Sequence, residues 1–157
     1  MLRVTPPTHT TSRSTSSVAN EPDRSKIVVG YDGSESARRA LESAAALAGD
    51  QTLLVVVSVA EPYPRSGITI PANLDRVEFQ RRRHHLDDAR TFLSERGLHV
   101  ETLQLRGDPA ALLVGAAADA DLAVVGSRRM TRLQRLVLGS VSSKVLHNAA
   151  CDVLVVR

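Results

Sequence analysis

The chain has little cysteine and few aromatic residues. Its 157 residues include one cysteine and no tryptophan, and aromatic residues make up 3% of the chain, against 43% hydrophobic residues overall. A single cysteine excludes an intramolecular disulfide, which fits a reducing cytoplasm. Scarce aromatic side chains argue against a reader of single-stranded nucleic acid, because such proteins stack bases on aromatic rings. The core must therefore consist of Val, Leu, Ile and Ala, a composition typical of a parallel sheet buried on both faces.

Long apolar segments are also missing. The longest apolar runs have the length of a strand, well short of the roughly 20 residues that a transmembrane helix needs. The N-terminal segment lacks the apolar stretch of a secretory signal. We therefore expect a cytoplasmic protein with no membrane partner.

The formal net charge of +3 is unevenly distributed. Residues 1–26 carry +2, and residues 126–140 carry +4 from four arginines without an acidic residue, so the rest of the chain carries −3. The basic character belongs to one loop and a tail, and it does not form the broad basic face of a nucleic-acid-binding protein. We predict no nucleic-acid partner.

Composition divides the chain into two regions. Residues 1–24 are rich in Thr, Ser and Pro with almost no apolar residue, which predicts a disordered tail. Residues 25–157 alternate aliphatic runs with helical periodicity, which predicts one α/β domain with a doubly wound parallel sheet. Predicted strands cover 27–31, 53–59, 98–105, 122–125 and 153–156. Predicted helices cover about 35–48, 73–96, 109–118 and 140–148, and a proline-containing loop covers 62–72.

Two strand ends carry unusual residues, and ligands of open parallel sheets bind beyond such ends. The first is the segment from Gly30 to Ser34 after strand one, and the second is the loop from Gly126 to Ser140 after strand four. In the second, Gly126 would let a ligand approach the backbone. The helix that opens at Gly139-Ser140 would offer unpaired N–H groups and a favourable dipole to an anion.

The same loop adds donors to this predicted phosphate site. Ser140 and Ser142 supply hydroxyl groups, and Arg128 and Arg129 supply charged, forked donors suited to phosphate oxygens. The alternative is that Gly139 and Ser140 merely cap a helix while the arginines are solvated. The residues alone leave both interpretations open.

Asp32 also has two interpretations. It is either a turn aspartate that accepts from the N–H groups of Gly33 and Ser34, or a ligand residue that bonds a ribose hydroxyl or a base edge. A carboxylate disfavours a phosphate, so the phosphates are expected at the other loop. Gly30-x-x-Gly33 does not complete the dinucleotide fingerprint G-x-G-x-x-G.

Other polar residues carry no positive signal for catalysis. The run Arg81–His85 spreads around a predicted helix and is interpreted as a solvated face. Cys151 precedes a buried strand and is interpreted as a small hydrophobic residue. No nucleophile–base pair or metal-ligand cluster stands at a usable spacing, so we predict neither an enzyme nor a metal site.

Taken together, these motifs resemble the universal stress protein family across residues 25–157. The resemblance is carried by Ile27-Val28-Val29-Gly30-Tyr31-Asp32-Gly33-Ser34-Glu35-Ser36, by Gly107-Asp108-Pro109, and by segments 121–128, 136–142 and 151–156. It implies a five-stranded sheet in the order 3-2-1-4-5, of the adenine nucleotide α-hydrolase type. It also implies homodimers, commonly through the last strand, here Val153 to Val156, whose aliphatic edge would need a partner.

The resemblance further implies an ATP site, with Mg²⁺ as a possible companion. Family members that bind ATP carry Gly, two residues, Gly, nine residues, Gly, then Ser or Thr; here Gly126 and Gly139-Ser140 match, and Arg129 replaces the second glycine. If that position needs a positive φ, Arg129 costs about 1–2 kcal/mol. If it needs only close backbone approach, the arginine can lend its charge to a phosphate.

By the same matching, the ligand residues are expected at both strand ends. Asp32 would hold the ribose or adenine side, Val59 would pack on the base, and Val141 and Ser142 would complete the phosphate site. The full expected set is Gly30, Tyr31, Asp32, Val59, Gly126, Ser127, Arg128, Arg129, Gly139, Ser140, Val141 and Ser142. The expected function is a stress-response protein that binds ATP and acts as a regulatory dimer. A nucleotide-free interaction module and a cyclic-nucleotide binder are the alternatives.

Overall fold

The computed structural model describes residues 24–62, 73–127 and 139–157. Within them, strands and helices alternate along the chain, as the periodicity predicts. The strands are β1 (Lys26–Gly30), β2 (Leu53–Ala60), β3 (His99–Arg106), β4 (Leu122–Gly126) and β5 (Asp152–Val156). The helices are α1 (Glu35–Leu47), α2 (Leu74–Ser94), α3 (Pro109–Ala116) and α4 (Ser140–Asn148). Residues 1–23 of the predicted tail, the 62–72 loop beyond residue 62, Arg128 and Arg129 lie outside the described residues.

The five strands form one parallel sheet in the order β3-β2-β1-β4-β5, which confirms the predicted topology. Val28 on β1 stands opposite Val55 on β2 and Ala123 on β4. The strand order reverses beside β1, because β2 lies on one side of it and β4 on the other. The carboxyl ends of β1 and β4 therefore meet at the point where open α/β sheets bind ligands.

Two aliphatic cores cover the two faces of the sheet. Ile27 and Val29 pack with α1 and α2 on one face, while Val28, between them, packs with α3 and α4 on the other. Alternate strand residues point to opposite faces, and burial of both explains the continuous aliphatic runs. The described core contains only Ile, Val, Leu and Ala among its hydrophobic residues, as the composition predicts.

The helix ends follow the predicted capping residues. Asp108 caps α3 by accepting from the Ala111 N–H at 2.8 Å, and Pro109 takes the first helical position. Helix α2 ends at Ser94, two residues before the predicted end, and Gly97 follows with φ 74°. A left-handed residue there suits glycine and turns the chain toward β3.

Candidate functional site

A cavity of about 200 Å³ lies at the carboxyl ends of β1 and β4, between the first turns of α1 and α4. The structure brings together nine of the predicted site residues in its wall. These are Gly30, Tyr31, Asp32, Val59, Gly126, Gly139, Ser140, Val141 and Ser142. Residues separated by more than 100 positions thus meet in one crevice because β1 and β4 are neighbours in the sheet.

Ser127 lies elsewhere. Its side chain is buried, its N–H donates to the Val156 carbonyl at 2.7 Å, and it does not line the cavity. The residue continues the hydrogen bonding between β4 and β5 past the end of the strand. A direct ligand contact by Ser127 stays a prediction, and so do the roles of Arg128 and Arg129, which lie outside the described residues.

The loop after β1 is closed by its own hydrogen bonds. Asp32 Oδ1 accepts from the Ser34 N–H at 2.9 Å, and Ser34 Oγ accepts from the Ala37 N–H at 3.3 Å. Ser34 is thereby the N-cap of α1, as predicted, and satisfies one of the donors that a helix start leaves unpaired. Asp32 is a turn aspartate and a cavity residue at the same time, so its two interpretations are compatible.

Helix α2 packs against this loop through His85. Gly33 adopts φ 81°, and a Cβ placed there would collide with the Nδ1 and Cε1 atoms of the His85 ring. Glycine is therefore required twice, by the backbone conformation and by the ring that packs on it. The His85 Nδ1 atom is buried and has no hydrogen-bond partner among the described residues.

The start of α4 is open by comparison. Its N-cap is Gly139, which has no side chain to cap the helix, and the first helical N–H bond runs from Ser143 to the Gly139 carbonyl at 2.9 Å. The N–H groups of Ser140, Val141 and Ser142 precede that bond, so helix geometry gives them no intrahelical acceptor. The buried Ser142 hydroxyl donates to the Gly139 carbonyl at 3.1 Å. This terminus can therefore receive an anion through backbone donors.

Packing within the chain requires glycine at position 126, in addition to the predicted approach of a ligand. A Cβ at this position would lie 2.6 Å from the backbone carbon and oxygen of Ser36 and 2.8 Å from the Ala37 nitrogen. The first turn of α1 thus crosses directly over the end of β4. A ligand is not the only group whose close approach needs glycine here, and the sequence could not distinguish the two.

Tyr31 forms part of the wall on the β1 side. Burial raises the pKa of its hydroxyl above the ordinary value, and the negative charges of Asp88 and Asp32 raise it further, while Arg38 opposes them. The hydroxyl is therefore protonated at neutral pH.

Sequence reasoning missed several wall residues. Arg82 reaches the cavity from α2 and Glu61 from the end of β2, while Pro109 and Leu113 form the α3 side. Arg82 belongs to the basic run that was interpreted as a solvated face, and this interpretation is wrong for Arg82 because its side chain is only 17% exposed. Leu113 could have been anticipated from its helical spacing, but no local pattern indicates which arginine of the run turns inward.

The described residues contain no cluster of three or more His, Cys, Asp or Glu that could hold a metal ion. In the same part of the chain, no helix combines the length and the apolar character that crossing a membrane requires.

The fold and the crevice define a class, namely α/β proteins with a doubly wound parallel sheet and a ligand-sized cavity where the strand order reverses. The model of the universal stress protein family matches residues 24–157, and the chain therefore belongs to that family. This confirms the predicted resemblance and the fold of the adenine nucleotide α-hydrolase type.

Individual relatives cover nearly the whole domain. Universal stress protein YxiE of Bacillus subtilis is 31% identical over 145 residues, which is 84% of this chain and 98% of YxiE. The crystal structure of a universal stress family protein from Burkholderia pseudomallei has a TM-score of 0.67 at 31% identity, covering 84% of this chain and 95% of that one. A universal stress protein solved in complex with cAMP has a TM-score of 0.61 at 27% identity, covering 85% and 97%.

Proposed function

We propose that this universal stress protein binds an adenine nucleotide in the crevice between the ends of β1 and β4, with ATP as the first candidate ligand. The observation that carries the proposal is the open N-terminus of α4, which faces the same cavity as Asp32 and Val59. Backbone donors at a helix start suit phosphate oxygens, whereas a carboxylate suits ribose hydroxyls. The crevice thus has a different chemistry at each end, as a nucleotide does.

The predicted residues receive distinct roles in this proposal. Asp32 accepts from the ribose or the base edge, and Val59, which is 6% exposed at the end of β2, packs against the base. Gly139, Ser140 and Val141 hold phosphates at the start of α4. The arginines of segment 126–140 add positive charge, and Mg²⁺ would accompany ATP through its phosphates.

cAMP is the second candidate ligand, because a universal stress protein 27% identical to this chain has been solved in complex with it. A single phosphate charge can also be satisfied by the α4 terminus. Titrating the purified chain with ATP-Mg²⁺ and with cAMP by calorimetry ranks the two. If neither shows saturable binding below millimolar concentration, the nucleotide proposal is wrong and a nucleotide-free interaction module is left.

Gly139→Glu is the matching variant. A carboxylate at the cap of α4 takes up the free N–H groups and repels phosphates, so nucleotide affinity should fall at least tenfold, a change of about 1.4 kcal/mol. Gly115→Glu is the control, because Gly115 is exposed on α3 and a Cβ added there would have no heavy atom within 4 Å. Unchanged affinity in Gly139→Glu would remove the α4 terminus from the site.

We further propose that residues 25–157 act as one domain behind a tail of residues 1–24, as a cytoplasmic regulatory homodimer without catalytic activity beyond slow ATP hydrolysis. Strand β5 supports the dimer because it lies at the sheet edge, where Val153 to Val156 are partly exposed. Sedimentation velocity on the full chain tests this point, and a monomer at all concentrations up to about 100 μM, well above the range of stable dimers, would contradict it.

A further inference from the structure

Arg82 is placed in the crevice by α2, on the side away from α4. Its side chain is 17% exposed, whereas that of Arg81 is 57% exposed. Among the described residues of the cavity wall, Arg82 is the one lysine or arginine, and it stands there with the carboxylates of Asp32 and Glu61. The two carboxylates repel an anion in this part of the crevice, and Arg82 is the described wall residue whose charge opposes them.

The Arg82 guanidinium is held in place, yet it is incompletely hydrogen-bonded. Its Nε lies 3.3 Å from Oε1 of Glu78, one turn earlier on α2, without hydrogen-bond geometry. Arg81 already occupies both Glu78 oxygens, donating to Oε1 at 2.6 Å and to Oε2 at 3.0 Å. The Arg82 Nε is buried and makes no hydrogen bond among the described residues, so its contact with Glu78 is an ion pair only. A ligand cannot reach this buried Nε, so a contact from the cavity must be made by the terminal nitrogens of the guanidinium, Nη1 and Nη2.

The positions of α2 and α4 on opposite faces of the sheet indicate which part of a ligand the Arg82 guanidinium contacts. Leu86 and Ala89 of α2 pack on one face, and Val145 of α4 packs on the other, so Arg82 and the α4 terminus approach the crevice from opposite sides. With the ribose at Asp32 and the phosphates at the α4 terminus, as proposed above, the phosphate nearest to Arg82 is the one bonded to the ribose, because further phosphates extend away from Asp32. A planar guanidinium matches phosphate oxygens through parallel N–H bonds.

We propose that Arg82 binds the ribose-linked phosphate of the nucleotide and thereby selects nucleotides over nucleosides. The inference rests on the proposed nucleotide function, which it deepens by naming a contact that the family pattern does not contain. AMP, cAMP and ATP all carry this phosphate, and adenosine lacks it.

Calorimetric titration of the full chain with AMP, cAMP, ATP and adenosine tests the contact. Arg82→Gln should weaken all three nucleotides by a similar factor, about tenfold, because one charged hydrogen-bond donor is lost. Adenosine affinity should stay within about twofold of the wild type, since no phosphate contact exists to lose. Arg83→Gln is the matched control, because it removes the same charge from the exposed neighbouring residue, and it should leave all four affinities unchanged.

Three results would overturn the proposal. The first is that Arg82→Gln leaves nucleotide affinity unchanged, and the second is that it weakens adenosine binding as much as nucleotide binding. The third is that the loss of affinity grows with the number of phosphates, which would indicate a long-range electrostatic effect in place of a direct contact. Arg82→Lys keeps the charge without the planar fork and should cost the nucleotides about threefold, so it decides the matter if Arg82→Gln does not fold. A wild type that binds no nucleotide refutes the proposed function and this contact with it, whereas nucleotide binding indifferent to Arg82 refutes the contact alone.

Discussion

Helices α1 and α4 begin on the same crevice, but their first turns differ. Helix α1 is capped by the Ser34 hydroxyl, and the Ser34 N–H is in turn held by Asp32. Helix α4 begins at Gly139 without a side-chain cap. One donor of the first helix start is satisfied by a side chain, whereas the second helix start has no side-chain cap. The difference explains why an anion is expected at α4 and a hydroxyl-bearing group at the end of β1.

The largest expected effect concerns Gly126, where the end of β4 touches the first turn of α1. Gly126→Ala places a Cβ within 2.6 Å of the Ser36 backbone, so β4 or the first turn of α1 must shift. Overpacking of this kind should lower the free energy of unfolding by about 1–3 kcal/mol. Urea denaturation of the variant and the wild type measures the difference. Gly115→Ala is the control: nothing lies near that side chain, and removing a helical glycine should stabilise by about 0.5–1 kcal/mol. Equal stability of both variants would refute the close crossing of α1 over β4.

A smaller effect is expected at Gly33, where α2 presses on the β1 loop. Gly33→Ala incurs about 1–2 kcal/mol of backbone strain at φ 81° and must also displace the His85 ring. Gly97→Ala has a similar φ of 74° with nothing within 4 Å, so it measures strain alone. Gly33→Ala should therefore destabilise more than Gly97→Ala in thermal or urea unfolding. Adding His85→Ala to Gly33→Ala should remove the extra destabilisation relative to Gly97→Ala. If the extra destabilisation persists in the double variant, the His85 ring is not its cause.

The smallest effect is expected at the cap of α1. Ser34→Ala removes the acceptor of the Ala37 N–H and should destabilise the chain by about 1 kcal/mol. Nucleotide affinity should change less than about twofold, because this terminus is not the proposed phosphate site. Ser43→Ala, within the same helix, serves as control and should be neutral or slightly stabilising. A large loss of nucleotide affinity in Ser34→Ala would contradict the proposal that only the start of α4 binds the phosphates.

Much of the fold was predictable from local sequence. Helix α4 has the predicted bounds, and the other elements differ from prediction by at most two residues at either end. Strand β1, for instance, ends at Gly30 instead of Tyr31, although the Tyr31 N–H still donates to the Val57 carbonyl at 2.8 Å. Such shifts arise because hydrophobic periodicity identifies an element, whereas its last residue depends on the neighbours it pairs with.

The candidate site was predictable where it is built from strand ends and caps, and unpredictable where it depends on packing. Aliphatic runs, Ser34, Asp108 and the glycines determined by themselves the α/β class and the helix starts, because these signals act within a few residues along the chain. Together with the family resemblance, they predicted half of the crevice wall. Only the tertiary structure decided that Arg82 lines the cavity, that the first turn of α1 packs against Gly126, and that the His85 ring packs against Gly33. Each of these contacts joins residues distant in sequence, and their partners are chosen by the packing of helices on the sheet and by no local pattern.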